Sequence, residues 1–257
     1  MDEHFFGGKR QEDIMDRRDD TFIMYNNQNH LPLTVGILIF DQVEVLDVAG
    51  PFEVFAITRL NEERPQEESS SSPFKILLVS EKPGQVSAIG GLRFTPDVTI
   101  DNCPEELDLL IVPGGWGTRN EIKNVNLLKW IANRASKTRL MASVCTGSSL
   151  LGKSGLLDGR EATTHWRAFD FLRQAAPSAN IRKDVRFTLA EPIFTSAGIS
   201  AGIDMALRIV SYFFGTKIGK ATARQMEYPY PHKMTDVGAT ILNRRQGRCL
   251  SNLISNK

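Results

Sequence analysis

Residues 139–151 read Arg-Leu-Met-Ala-Ser-Val-Cys-Thr-Gly-Ser-Ser-Leu-Leu. The first part, up to Val144, is short and mostly apolar, the pattern of a buried strand. Small residues follow, and then Leu150 and Leu151 begin a helical run. Cys145 therefore sits where a strand turns sharply into a helix, the geometry of a nucleophile elbow. The partial positive charge at a helix start favours thiolate over thiol, and Gly147 leaves room for a neighbouring backbone to approach. A buried cysteine also serves as a small hydrophobe. The rest of the chain has to separate the two readings.

Outward from the elbow, other apolar runs alternate with helical ones. Thr34–Phe40, Phe74–Ser80 and Leu107–Val112 read as core strands of a parallel sheet. Asp41–Gly50 reads as a loop after the first of them, with Pro51 opening a helix that carries Phe52, Phe55, Ala56 and Leu60. Gln85–Thr95 is expected to be a hairpin-like excursion, and Pro113–Gly117 a glycine-dense loop. A helix follows at about Asn126–Ala135, before the elbow strand. Beyond the elbow come a short strand at Glu161–Thr164, a helix around Phe169 and Leu172, and two short strands around Glu191-Pro192. Helices then fit Gly198–Phe214 and Lys217–Met226. The implied fold class is α/β: a doubly wound, mostly parallel sheet with helices on both faces, flavodoxin-like in layout. Residues 1–31 read as a mobile arm, 32–231 as one domain and 232–257 as a frayed tail. Asn61–Pro73 is an acidic, Ser-rich surface loop.

Composition excludes several function classes. The 257 residues carry a net charge of +1 and give no reason to expect a nucleic-acid partner. There is no apolar run of membrane-spanning length and no signal-peptide core. Cys103, Cys145 and Cys249 are far apart, so neither a disulfide framework nor a zinc site is expected, and a reducing, cytoplasmic location follows. Four scattered histidines offer no metal-ligand spacing. Neither metal nor organic cofactor is implied.

In a doubly wound sheet ligands bind beyond the carboxyl ends of the strands. Three loops leave that edge, supplying acids (Asp41–Gly50), bare backbone donors (Pro113–Gly117) and a thiol. Among the acids, Asp47 lies between Leu46 and Val48. It is a candidate for a raised pKa and for sharing a proton with Cys145, or else a helix cap. Thr146 stands where a papain-like enzyme would need a histidine. It can hydrogen-bond sulfur or substrate, or satisfy a free N–H at the helix start. Gly114 and Gly115 can aim N–H groups at a developing negative charge, or simply make a tight turn. His165 and Trp116 are candidates for the pocket wall. His165 also fits a helix-capping role, and Trp116 and Trp166 also fit the core.

Four segments together resemble the ThiJ/PfpI superfamily, whose fold is of the class I glutamine-amidotransferase type: FDQVEVLDVAGPFEVF (40–55), IVPGGWGT (111–118), SVCTGSSLLGKSGLLDGREATTHW (143–166) and TSAGISAGIDMALRIV (195–210). Within it the chain is most similar to the isonitrile hydratases. These share the Cys-Thr-Gly elbow and a Leu-Asp-x-x-Gly-Pro acid motif, matched here at Leu46–Pro51, and a late segment like Gln225–Tyr228. The resemblance implies that Cys145 is the nucleophile, Asp47 the acid/base and Thr146 a supporting hydrogen-bond partner. It also implies a homodimer and the hydration of an isonitrile to an N-substituted formamide. Two other outcomes fit the same pocket. One is different thiol chemistry, glyoxalase-like or redox-sensing; the other is a non-catalytic, ligand-binding dimer. Relatives fused to an AraC-type DNA-binding region exist, and none is expected in the short tail here. All these readings require Asp47 and Cys145 to meet within hydrogen-bonding range.

Overall fold

A computed structural model describes residues 31–61, 71–230 and 237–238. The arm before Leu31, most of the Ser-rich loop and nearly all of the tail lie outside the described residues. Eight strands form the main sheet: β1 (Leu33–Leu38), β2 (Phe74–Ser80), β5 (Val98–Thr99), β6 (Leu107–Val112), β7 (Thr138–Val144), β10 (Phe187–Ala190), β11 (Ile193–Ser196) and β12 (Val237–Gly238). Their order is β12-β10-β11-β7-β6-β1-β2-β5, and every pairing is parallel except β10 with β11. The central strands are buried on both faces, which is why they read as continuous apolar runs. Two small ribbons stand apart: β3 (Val86–Ser87) with β4 (Arg93–Phe94), the expected excursion, and β8 (Glu161–Ala162) with β9 (Asn180–Ile181).

Helices cover both faces, as a parallel sheet requires. On one side α1 (Val45–Ile57), α6 (Ala201–Phe214) and α7 (Thr216–Gln225) pack together. On the other are α2 (Thr118–Glu121), α3 (Val125–Arg134), α4 (Gly147–Lys153) and α5 (Phe169–Ala175). Most expected elements are present with ends shifted by a few residues.

Two expectations need correction. Pro51 does not open its helix: α1 starts at Val45 and carries Pro51 inside, so Asp47 is in the first turn rather than in a loop before it. The helix starts early because backbone contacts secure its mouth. Glu44 N–H donates to Gly114 O at 2.9 Å, and Val43 bridges to Gly115. Pro51 lacks only the N–H that would have reached the Asp47 carbonyl, and the first turn survives that loss. Leu60 and Phe52 are exposed rather than on the core face. The second correction concerns the tail, where Val237–Gly238 extends the sheet along the free edge of β10.

Parallel pairing brings the carboxyl ends of β1, β6, β7 and β11 to one edge. The loops leaving these four strands build the site.

Candidate active site

Cys145 follows β7 directly and has φ 57°, the left-handed region that costs a side-chain-bearing residue about 1–3 kcal/mol. Its surroundings over-determine that conformation. The Cys145 N–H is shared between Ser196 O (3.1 Å) and Ala197 O (3.3 Å). Its carbonyl accepts from the Ser148 hydroxyl (3.0 Å) and the Thr164 hydroxyl (2.9 Å). Gly147 is required by a close approach: a Cβ there would lie 2.0 Å from Val112 O. The elbow is therefore locked to the ends of β6 and β11.

Asp47 reaches this point from α1 and is fully buried. Its Oδ2 accepts the Gly114 N–H at 2.9 Å and its Oδ1 the Ile199 N–H at 3.1 Å. Cys145 lies near enough that its thiol and the Asp47 carboxyl each shift the other's proton affinity. Burial pushes the Asp47 carboxyl from its usual 3.8 up to about 7. The nearby Glu44 charge pushes the same way, while the Gly114 and Ile199 N–H groups and the thiol hold it down. Burial, and after it the Asp47 charge, push the Cys145 thiol far above its ordinary range, against the pull of the Thr146 N–H and hydroxyl. This reverses the expectation of a thiolate at a helix start. Desolvation and an adjacent carboxylate outweigh the partial charge at the end of a one-to-two-turn helix. Both groups of the pair are thus displaced toward their protonated forms, in each case chiefly by burial.

Thr146 occupies the cap position of α4, but its side chain caps nothing. Its Oγ1 instead accepts the Gly115 N–H at 3.0 Å and lies 3.1 Å from the Thr118 hydroxyl. Gly115 O in turn accepts from the Thr118 hydroxyl at 2.8 Å and from the Thr146 hydroxyl at 3.2 Å, so the two threonines and the Gly115 peptide form one hydrogen-bonded cluster. The N–H groups of Gly114 and Gly115 are thus committed to Asp47 and Thr146, not aimed at a developing charge on substrate. They brace the acid and the hydroxyl. The glycine pair is needed for closeness: a Cβ on Gly114 would lie 2.6 Å from Thr146 Oγ1, and one on Gly115, at φ 129°, 2.4 Å from Gln42 O.

His165 is half-buried with its ring against Gly198, and its Nδ1 accepts the Arg167 N–H at 3.2 Å. Burial and Arg167 hold its pKa below the usual 6.5. Its carbonyl accepts the Ala168 N–H at 2.7 Å, so His165 makes the local turn, with its ring against the residue that precedes Ile199. Neither Trp116 (62% exposed) nor Trp166 (67%) is core. Each is surface-placed beneath a guanidinium, Arg119 at 4.1 Å and Arg167 at 4.5 Å from the ring centroids. Three participants escape a reading of the sequence: Thr118, Thr164 and the N–H of Ile199, another residue at positive φ. Thr118 ends the quoted IVPGGWGT run and could have been noticed there. A backbone N–H carries no residue-type signal. Among the described residues no three His, Cys, Asp or Glu side chains gather into a metal-binding group, and no helix is long and apolar enough to cross a membrane.

A profile of the DJ-1/PfpI family matches residues 33–212, a span that includes all four site loops. The chain belongs to the DJ-1/PfpI family. An isonitrile hydratase from Pseudomonas putida is 35% identical over 198 residues, covering 77% of this chain and 79% of that protein. The transcriptional regulator GbdR of Pseudomonas aeruginosa is 28% identical over 201 residues, 78% of this chain but only 52% of the regulator. A THiJ/PfpI family protein from Pseudomonas syringae superposes with a TM-score of 0.68 at 28% identity, covering 82% of this chain and 83% of its own. The family thus holds enzymes and regulators alike, and the DJ-1/PfpI fold alone does not choose between them.

Proposed function

We propose that this protein hydrates an isonitrile to an N-substituted formamide, with Cys145 as nucleophile and Asp47 as proton carrier. The observation that carries the reading is the burial of Asp47 and Cys145 at the same strand edge, with the Asp47 carboxyl held by the Gly114 and Ile199 N–H groups and its proton affinity raised by burial. Such a pair suits a substrate that must gain a proton as it is attacked. Asp47 takes the thiol proton and delivers it to the terminal isonitrile carbon as sulfur bonds to that carbon. The product is the thioimidate R–N=CH–S–Cys145. Water adds to the imidate carbon, giving one proton to the same carboxylate, and the proton of the new hydroxyl passes to the imidate nitrogen as the carbonyl forms. Collapse expels the thiolate, which is reprotonated, and leaves R–NH–CHO. The isonitrile and one water are consumed, and no redox partner is needed. Thr146 steadies the sulfur while it is anionic. No metal or organic cofactor takes part, and the working form is a cytoplasmic homodimer without nucleic-acid or membrane partners.

Redox sensing fits the site less well. A sensor cysteine needs an accessible thiolate, whereas Cys145 is 7% exposed and burial raises its proton affinity. Incubation with cyclohexyl isocyanide, followed by proton NMR for the formamide, tests the proposal. Turnover is expected in the wild type and not in Cys145→Ala. Consumption of methylglyoxal without isonitrile turnover would favour glyoxalase-like chemistry instead.

A further inference from the structure

The Ile199 N–H that holds Asp47 belongs to the short connection Ala197–Ile199 between β11 and α6. Its own side chains do little to fix it: alanine, glycine, and an isoleucine that is 40% exposed. The restraints come from elsewhere. At the front, Ala197 N–H donates to Arg186 O at 2.7 Å. At the back, in the first turn of α6, Asp204 is 4% exposed and saturated. One carboxyl oxygen takes Arg186 Nε and the other the Tyr228 hydroxyl at 2.9 Å. Arg186 Nη2 also reaches Ser200 Oγ at 3.3 Å, and Tyr228 N–H is tied to Ala223 O at 2.9 Å, at the end of α7. Three segments distant in sequence thus converge on one helical turn. A buried carboxylate of this kind is a poor source of net stability, because desolvation offsets most of the ion-pair attraction. Its value lies in the geometry it imposes.

We propose that Asp204 and Tyr228 are positioning residues: with Arg186 they clamp the first turn of α6 and thereby keep the Ile199 N–H on the Asp47 carboxyl. The inference builds on the reading of Asp47 as proton carrier. Releasing the clamp removes one of the two backbone donors from that carboxylate. The titratable and charged groups facing Asp47 are Cys145 on the elbow and Glu44 at the cap position just before α1. Neither is altered by a change at Tyr228 or Asp204. Losing a hydrogen bond to a charged acceptor raises the acid's proton affinity, by about one pH unit for a bond of ordinary strength.

The test uses Tyr228→Phe and Asp204→Asn in the full chain. Cys145 alkylation by iodoacetamide is followed against pH by mass spectrometry of the Cys145 peptide, a readout that needs no substrate. Because Asp47 is the base that takes the thiol proton as sulfur reacts, the wild-type rate climbs with pH and levels off near 7, where Asp47 is fully available as carboxylate. Both variants should level off about one pH unit higher, and the acid limb of kcat/KM for cyclohexyl isocyanide should move with them. A lowered Tm with the levelling point unmoved would mean a structural role only and would overturn the proposal. Tyr228→Phe, which keeps the ring, carries the test by itself if Asp204→Asn does not fold. Absence of isonitrile turnover in the wild type would sink the hydratase reading while leaving the alkylation profile to judge the clamp.

Discussion

Replacing Asp47 with Asn should make the protein more stable at alkaline pH, and the gain should depend on pH in a calculable way. Asp47 is buried, and its carboxyl is raised from 3.8 to about 7 on folding. Between those values the folded chain keeps a proton that the unfolded chain has released, so unfolding releases a proton and stability falls as pH rises. The penalty is small near pH 4 and complete once pH passes the folded value. Integrating from pH 5 to pH 8 gives about 3 kcal/mol lost from this one group. Asn has no charge to bury and loses nothing over that range. It carries its own cost, about 1–3 kcal/mol, because its amide must face either the Gly114 or the Ile199 N–H. That cost is the same at every pH. The stability of Asp47→Asn relative to wild type should therefore climb by about 3 kcal/mol between pH 5 and pH 8, whatever its starting value. Urea unfolding at matched ionic strength measures it, and activity should be lost throughout. A difference that stays flat within about 1 kcal/mol would refute the raised carboxyl and, with it, the shared proton.

Other consequences are open to measurement. The kcat/KM for cyclohexyl isocyanide should fall about tenfold per pH unit below about 7, as Asp47 takes up the proton that must come from the thiol; a profile flat down to pH 5 would contradict the mechanism. Thr146→Val should cost about 1–3 kcal/mol in urea unfolding, because the Gly115 N–H loses its acceptor, and Thr146→Ser should recover most of it. Gly115→Ala should be far more damaging to Tm than Gly84→Ala. Both have positive φ, but the new Cβ meets Gln42 O at 2.4 Å in the first and nothing within 4 Å in the second.

Much of this protein was legible from the order of its residues. Continuous apolar runs at β1, β6 and β7 implied strands buried on both faces, because only strands shielded on both sides can dispense with alternation. The small residues around Cys145 implied the elbow, because a sharp turn against the end of β6 leaves no room for a Cβ at Gly147. Even Asp47 stood out, an acid among apolar neighbours. What the residues do to one another was decided only when the chain folded. The helix start was expected to favour a thiolate, and burial pushes the thiol the other way, since desolvation depends on everything that closes over the sulfur. Gly114 and Gly115 were expected to face substrate and instead brace Asp47 and Thr146. Trp116 and Trp166 were compatible with the core and lie at the surface. Local sequence sets periodicity and turn chemistry, which act over a few residues. Proton affinity and hydrogen-bond direction are set by groups such as Asp47 and the Ile199 N–H, 152 residues apart along the chain, and only the tertiary structure brings them together.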